Sequence, residues 1–221
     1  MMGRREGVGM TSARARQRLV DLLREQGITD QGVLSVMYEM PRHLFLDEAL
    51  QHRAYENTAL SIGYQQTISQ PYIVALMTQL AGVSDPAVNR VLDIGTGCGY
   101  QAAILSRMAD WVFTVERIES LSFSARERLQ TLGYKNISYL CGDGYAGWLK
   151  KAPFDAIVVA AAPPSVPEAL KQQLAPGGRL VIPVGEGENQ GLRLIQRTAN
   201  GFVEQTVAAV KFVPLVATGQ V

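Results

Sequence analysis

The sequence predicts an α/β fold: a doubly wound, mostly parallel sheet of seven strands with an antiparallel edge strand, preceded by an N-terminal helical segment. Three observations carry that expectation. From Arg90 onward, short apolar runs alternate with helical stretches, most of ten or more residues, the pattern of βαβ units. Runs such as DAIVVA (Asp155 to Ala160) have the near-continuous apolar character of strands covered on both faces. A glycine-rich turn, Gly95 to Gly99, falls between the first such run and the next helix, where a doubly wound sheet places its ligand crevice.

Each element follows from its own signals. Residues 12 to 26 predict a helix with Leu19, Leu22 and Leu23 on one face and Gly27 as its stop; Asp30 predicts the N-cap of a second helix that reaches Met40 before Pro41. Residues 42 to 64 hold both histidines, His43 and His52, and read as irregular, ending in a loop from Leu60 to Tyr64. Pro71 to Ala81 predicts a helix with proline at its first position, where a missing N–H costs little. Strands then follow at Arg90 to Ile94, Trp111 to Glu116, Asn136 to Leu140, Asp155 to Ala160 and Arg179 to Val184, with helices from Tyr100 to Ala109 and Glu119 to Leu132. Two more strands flank Asn200-Gly201, a pair suited to a tight hairpin and so to antiparallel pairing at one sheet edge. The result is a Rossmann-like domain over residues 11 to 221. Its helical segment, 11 to 82, is expected over the carboxyl ends of the strands; residues 83 to 221 form the sheet.

Composition narrows the function. The 221 residues carry a formal charge of +1, which divides into +4 over residues 1 to 18 and −3 over the remainder. The body is mildly acidic, and residues 1 to 10 read as a basic, disordered arm. Such a body lacks the cationic footprint of a nucleic-acid protein. The longest apolar run, Ala156 to Ala162, is too short to span a bilayer, and no secretory h-region follows Arg4-Arg5, so neither a membrane partner nor export is expected. Two cysteines without metal-type spacing, Cys98 and Cys141, point to a reducing compartment, hence the cytoplasm, and read as small buried residues. No metal site is expected, and both histidines read as helix-face or surface residues.

The glycine loop runs Asp93-Ile94-Gly95-Thr96-Gly97-Cys98-Gly99, and the position that would complete the dinucleotide pattern Gly-x-Gly-x-x-Gly is Tyr100. A nucleoside without phosphates fits that spacing better than a pyrophosphate. Asp93 agrees, since a carboxylate there repels phosphate and attracts an ammonium group. Glu116 stands at the end of the second strand, where a carboxylate can accept both ribose hydroxyls; a solvated strand end is the alternative. Asp143, beside Gly144 after the third strand, either accepts from an adenine amino group or caps a helix through Trp148.

The series VLDIGTGCGY, TVERI, CGDG, APFDAIVVAAAPP and LAPGGRLVIPVG resembles the class I S-adenosylmethionine-dependent methyltransferases. Within that class, IGYQQTISQPYIVALMTQL and the segment Lys211-Phe212-Val213-Pro214-Leu215 are similar to the protein-L-isoaspartate O-methyltransferases, a resemblance that covers roughly residues 17 to 217. It implies methyl transfer from S-adenosyl-L-methionine to the free carboxylate of L-isoaspartyl residues in damaged proteins and peptides, with S-adenosyl-L-homocysteine as product, and a monomer that uses neither nucleic acid nor membrane. It assigns cofactor binding to Thr67, Ile68, Asp93, Gly95, Thr96, Gly97, Gly99, Glu116, Arg117, Asp143 and Gly144. Ser69 becomes the catalytic, carboxylate-orienting residue, and Val213, Pro214 and Leu215 join it in binding substrate. A helix start at Ser69 is its plainer alternative. The competing reading is a methyltransferase of the same class that acts on RNA or a small molecule.

Overall fold

A computed structural model of the chain describes residues 9–217. Most of the expected basic arm, residues 1–8, lies outside the described residues; Gly9–Thr11 forms a single 3-10 turn that leads into Ser12. The Ser12 hydroxyl then accepts from the Ala15 N–H and starts α1, Ala13–Glu25. Gly27, at φ +97°, ends α1 in a Schellman motif: its N–H reaches the Arg24 carbonyl and the Ile28 N–H reaches that of Leu23. Helix α2, Gln31–Glu39, is capped by Asp30, whose carboxylate accepts from the Val33 N–H at 3.0 Å.

Two 3-10 turns follow, Arg42–Phe45 and Glu48–Arg53. The first buries His43, which hydrogen-bonds the Tyr55 hydroxyl at 2.9 Å, so one of the two histidines is an interior residue rather than a surface one. The stretch expected as a loop is instead half of a hairpin, β1 Leu60–Gly63 against β2 Gln66–Ile68. Tyr64 and Gln65 make its turn, both at positive φ. Such a turn is ordinarily signalled by asparagine or glycine, and neither residue gives that signal. Ser69 and Gln70 lead from β2 into α3, Pro71–Ala81, with Pro71 at its first position and Gln70 as N-cap.

The main sheet contains β3 Arg90–Ile94, β4 Trp111–Glu116, β5 Ile137–Cys141, β6 Phe154–Val159, β7 Leu174–Glu186, β8 Asn189–Thr198 and β9 Gly201–Val210, in the order β5-β4-β3-β6-β7-β8-β9. Pairing is parallel from β5 to β7 and antiparallel from β7 to β9. The antiparallel pairing thus falls at the expected edge, and the strand that runs against the rest is β8, one in from that edge. Its turn with β9 is centred on Ala199 and Asn200, not on the Asn-Gly pair. Gly201, at φ +118°, opens β9, and the Thr198 hydroxyl accepts from the Asn200 N–H at 3.3 Å.

Helices α4, Tyr100–Ser106, and α5, Glu119–Thr131, follow β3 and β4; α6, Glu168–Gln172, precedes β7. Side chains alternate cleanly across the sheet. Val91, Val112, Ala156, Val158 and Val181 share one core with α1, α2, α3 and α4, whereas Leu92, Ile94, Phe113, Ile157, Val159 and Leu180 form a second with Leu170 of α6. The N-terminal helices therefore cover a face of the sheet, because α3 packs on β6 and β7. The β1–β2 hairpin and Ser69 are the parts that reach the carboxyl ends of the strands. No helix among the described residues is long and apolar enough to cross a membrane.

The second core depends on β3, an interior strand of the sheet. Leu92 is fully buried while Val203 on β9 is 60% exposed. Urea unfolding should show Leu92→Ala destabilised by about 2–5 kcal/mol and Val203→Ala changed by less than about 0.5 kcal/mol. Equal losses would contradict this division of core and edge.

Candidate active site

The site is built where the strand order reverses, at the carboxyl end of β3 between β4 and β6. The Gly95 N–H bonds to the Val115 carbonyl at 2.9 Å and the Ala160 N–H to the Ile94 carbonyl at 2.8 Å, so the loop leaves β3 held from both sides. Two glycines in it answer different demands. Gly97, at φ +53°, lies under the hairpin, where a Cβ would come within 3.2 Å of Ile62 Cδ1. Gly99, at φ +90°, lets α4 approach α5, since a Cβ would meet Leu129 Cδ1 at 2.9 Å.

Glu116 closes this loop against β4. One carboxylate oxygen accepts from the Gly97 N–H at 2.9 Å and the other from the Ile118 N–H at 3.0 Å. Each oxygen keeps a further lone pair. Below the loop, Thr114 donates to Asp93 Oδ2 at 2.8 Å and lies 2.6 Å from the Thr96 hydroxyl. A hydroxyl has one proton, so Thr96 donates to Thr114 and Thr114 to Asp93.

These residues wall a cleft of about 840 Å³, counting its open mouth. Of the residues expected from sequence, it brings together Thr67, Ile68, Ser69, Gly95, Thr96, Gly97, Glu116, Arg117, Gly144, Val213, Pro214 and Leu215. Three lie outside its lining. Gly99 serves helix packing, and Asp143 caps the turn Gly144–Ala146 by accepting from the Tyr145 N–H at 2.8 Å. Asp93 is buried beneath the loop, with Oδ1 lacking a hydrogen-bond partner. Sequence reasoning missed Met77, Tyr100, Gln101, Ala160 and Ala161 in the lining. Tyr100 carried a signal, since it stands where the dinucleotide pattern calls for glycine. Of the cysteines, Cys98 is buried on this wall, but Cys141 is exposed, because the strand end that carries it opens to solvent.

Ser69 is half-buried, and no group among the described residues engages its hydroxyl. It stands where the first cleft meets a second, of about 1230 Å³, that runs past Gln70 and Ile73 to Ala209–Val213; Thr67, Ala160 and Val213 are also common to both. The terminal segment is fixed beside it. Gln190 exchanges two hydrogen bonds with the Phe212 backbone, Ala162 exchanges two with Val213 and Leu215, and the Tyr145 hydroxyl donates to the Leu215 carbonyl.

Burial pushes the Asp93 carboxyl up to about 7; the Glu116 charge adds to the rise and the Thr114 hydrogen bond opposes it. Folding therefore favours the protonated form. That stabilising contribution is complete below the unfolded value near 3.8 and is lost as the pH rises through about 7. Asp93→Asn, always neutral, should gain stability relative to the parent protein by about 2–3 kcal/mol between pH 5 and pH 8. Chemical denaturation at both pH values checks this, and a gap that does not change with pH would contradict it.

Comparison with known proteins agrees with this geometry. The family model described as protein-L-isoaspartate(D-aspartate) O-methyltransferase matches residues 14–220. The protein-L-isoaspartate O-methyltransferase of Pseudomonas syringae pv. tomato is 55% identical over 206 residues, 93% of this chain and 97% of that one. That of Halorhodospira halophila is 55% identical over 210 residues, 95% and 94% of the two chains. A solved protein-L-isoaspartate O-methyltransferase superposes with a TM-score of 0.82 at 29% identity, covering 92% of this chain; this chain spans 66% of that one. The beta-aspartate methyltransferase of Plasmodium falciparum, solved in complex with S-adenosyl-L-homocysteine, gives a TM-score of 0.79 at 28% identity and covers 91% and 98% of the two chains. The chain belongs to the protein-L-isoaspartate(D-aspartate) O-methyltransferase family.

Proposed function

We propose that this protein methylates the free α-carboxylate of L-isoaspartyl residues in damaged proteins and peptides, with S-adenosyl-L-methionine as donor, and so starts their repair. The observation that carries the reading is the position of Ser69, an unengaged hydroxyl at the junction of a glycine-walled cleft and a wider open one. The residues present fit the donor. Gly95 and Gly97, on either side of Thr96, offer backbone without a Cβ in the way, Glu116 keeps acceptor capacity for ribose hydroxyls, and the orphaned Asp93 Oδ1 is an acceptor close beneath the loop. Arg117 and Gly144, next to Asp143, complete the nucleoside end, and Thr67 and Ile68 line the same cleft.

When bound, the donor supplies an electrophilic methyl group on a sulfonium. The carboxylate oxygen forms the new bond, and the sulfur keeps the electrons of the bond that breaks. No proton moves, because an α-carboxylate is already ionised at pH 7, so the site requires no general base. The histidines agree with that, since His43 is engaged by Tyr55 and neither histidine lines the cleft. The chain's task is to align oxygen, carbon and sulfur and to exclude water. Ser69 orients the carboxylate, while Val213, Pro214 and Leu215 flank the peptide. We take the enzyme to be a cytoplasmic monomer that uses neither nucleic acid nor membrane; its two free cysteines and mildly acidic body support that reading.

Tritiated donor with matched isoaspartyl and aspartyl peptides and a tRNA control should put base-labile label in the isoaspartyl peptide alone. Label in the RNA, or none anywhere, would overturn the proposal. Ser69→Ala should lower kcat/KM at least tenfold, about 1.4 kcal/mol in the barrier. A loss within threefold would remove Ser69 from its orienting role.

A further inference from the structure

Arg42 is 0% exposed, yet among the described residues no carboxylate lies within ion-pair distance of its guanidinium. Nη2 donates to the Ser69 carbonyl at 2.8 Å, and the guanidinium carbon lies 4.8 Å from the centre of the Tyr100 ring. Nε and Nη1 find no hydrogen-bond partner. Burying a guanidinium in this state is costly, because the group stays protonated and its lost hydration is only partly replaced. Ser69, which accepts its hydrogen bond, and Tyr100, whose ring it faces, are both wall residues of the first cleft. The other buried charges nearest that cleft, Asp93 and Glu116, are carboxylates on the β3 and β4 side.

We infer that Arg42 is a positioning residue for the isoaspartyl carboxylate: it sets Ser69 from behind, and its buried positive charge is answered by the substrate's negative one. The inference rests on the activity proposed above. Its two components separate by chemistry. The Nη2 donor holds the Ser69 backbone, and thereby the hydroxyl that orients the reacting oxygen, so its loss acts on kcat. The charge acts through low-dielectric protein, where screening is weak, and favours the anionic substrate over any neutral one, so its loss acts on KM. Lysine keeps the charge but lacks the planar fork; methionine keeps neither.

The test compares the full-length parent, Arg42→Lys and Arg42→Met with an isoaspartyl peptide. S-adenosyl-L-homocysteine affinity is read by calorimetry and the fold by thermal unfolding. Arg42→Met should raise the peptide KM at least tenfold and lower kcat, with S-adenosyl-L-homocysteine affinity within threefold of the parent. Arg42→Lys should return KM to within threefold while kcat stays at least fivefold low. A methionine variant whose KM lies within threefold of the parent overturns the inference, as does a lysine variant with no recovery of KM. If the methionine variant does not fold, the lysine variant decides alone, with kcat taken per S-adenosyl-L-homocysteine site counted by calorimetry: parental kcat overturns the inference, and a low kcat with near-parental KM upholds it. A merely structural role would lower stability and active fraction in both variants and leave KM unchanged. A parent protein that does not methylate the isoaspartyl peptide fails the proposed activity instead, which keeps the two failures distinct.

Discussion

The carboxylate of Glu116 joins the two strand ends on which everything at this site depends. It accepts the Gly97 N–H from the loop after β3 and the Ile118 N–H from the chain after β4, so two backbone donors at the mouth of a parallel sheet are satisfied by one side chain. Such donors are costly to leave unpaired once water is excluded. The same clasp sets the pitch of the glycine loop, which the β1–β2 hairpin crosses at Gly97 with no space for a side chain. Ser69 follows directly from that hairpin. The Glu116 end of the cleft and the Ser69 end are therefore mechanically linked through a single acid–amide contact.

The sequence was most legible where local pattern and tertiary role coincide. Strands β3 and β4 fall on the residues that their apolar runs indicate, and α3 starts at Pro71, because burial on both faces and the N1 preference of proline are local facts. The glycine loop and Glu116 were legible for the same reason: a strand end, a turn and a helix start lie within a few residues of one another.

What was not legible depends on contacts across the fold. Tyr64 and Gln65 take a left-handed turn for which neither has a preference, so the hairpin left no mark in the chain. Asn200-Gly201 did mark a hairpin but misplaced its centre by one residue, because the Thr198 hydroxyl holds Ala199 and Asn200 in the turn. Asp93 was legible as a carboxylate at the strand end, but its burial beneath a relay of two threonines was not. Arg42 sits in a segment that read as irregular, and nothing nearby in sequence indicates that a cation there is sealed behind Ser69. Desolvation is a property of the folded interior, and the composition of a short window does not report it.

Strand β9 has a consequence of a different kind. It ends the sheet with ten residues whose outer backbone edge pairs with no strand among the described residues, and it contains no lysine and no proline, the residues with which natural edge strands discourage further pairing. Its one charge, Glu204, is already engaged by Arg193, and Val203 and Val207 face solvent. The sheet therefore opposes intermolecular strand pairing least at this margin. Any state that loosens β9 while leaving β8 in place exposes a ladder ready to template another, on the same strand whose last residues, Ala209 and Val210, line the second cleft.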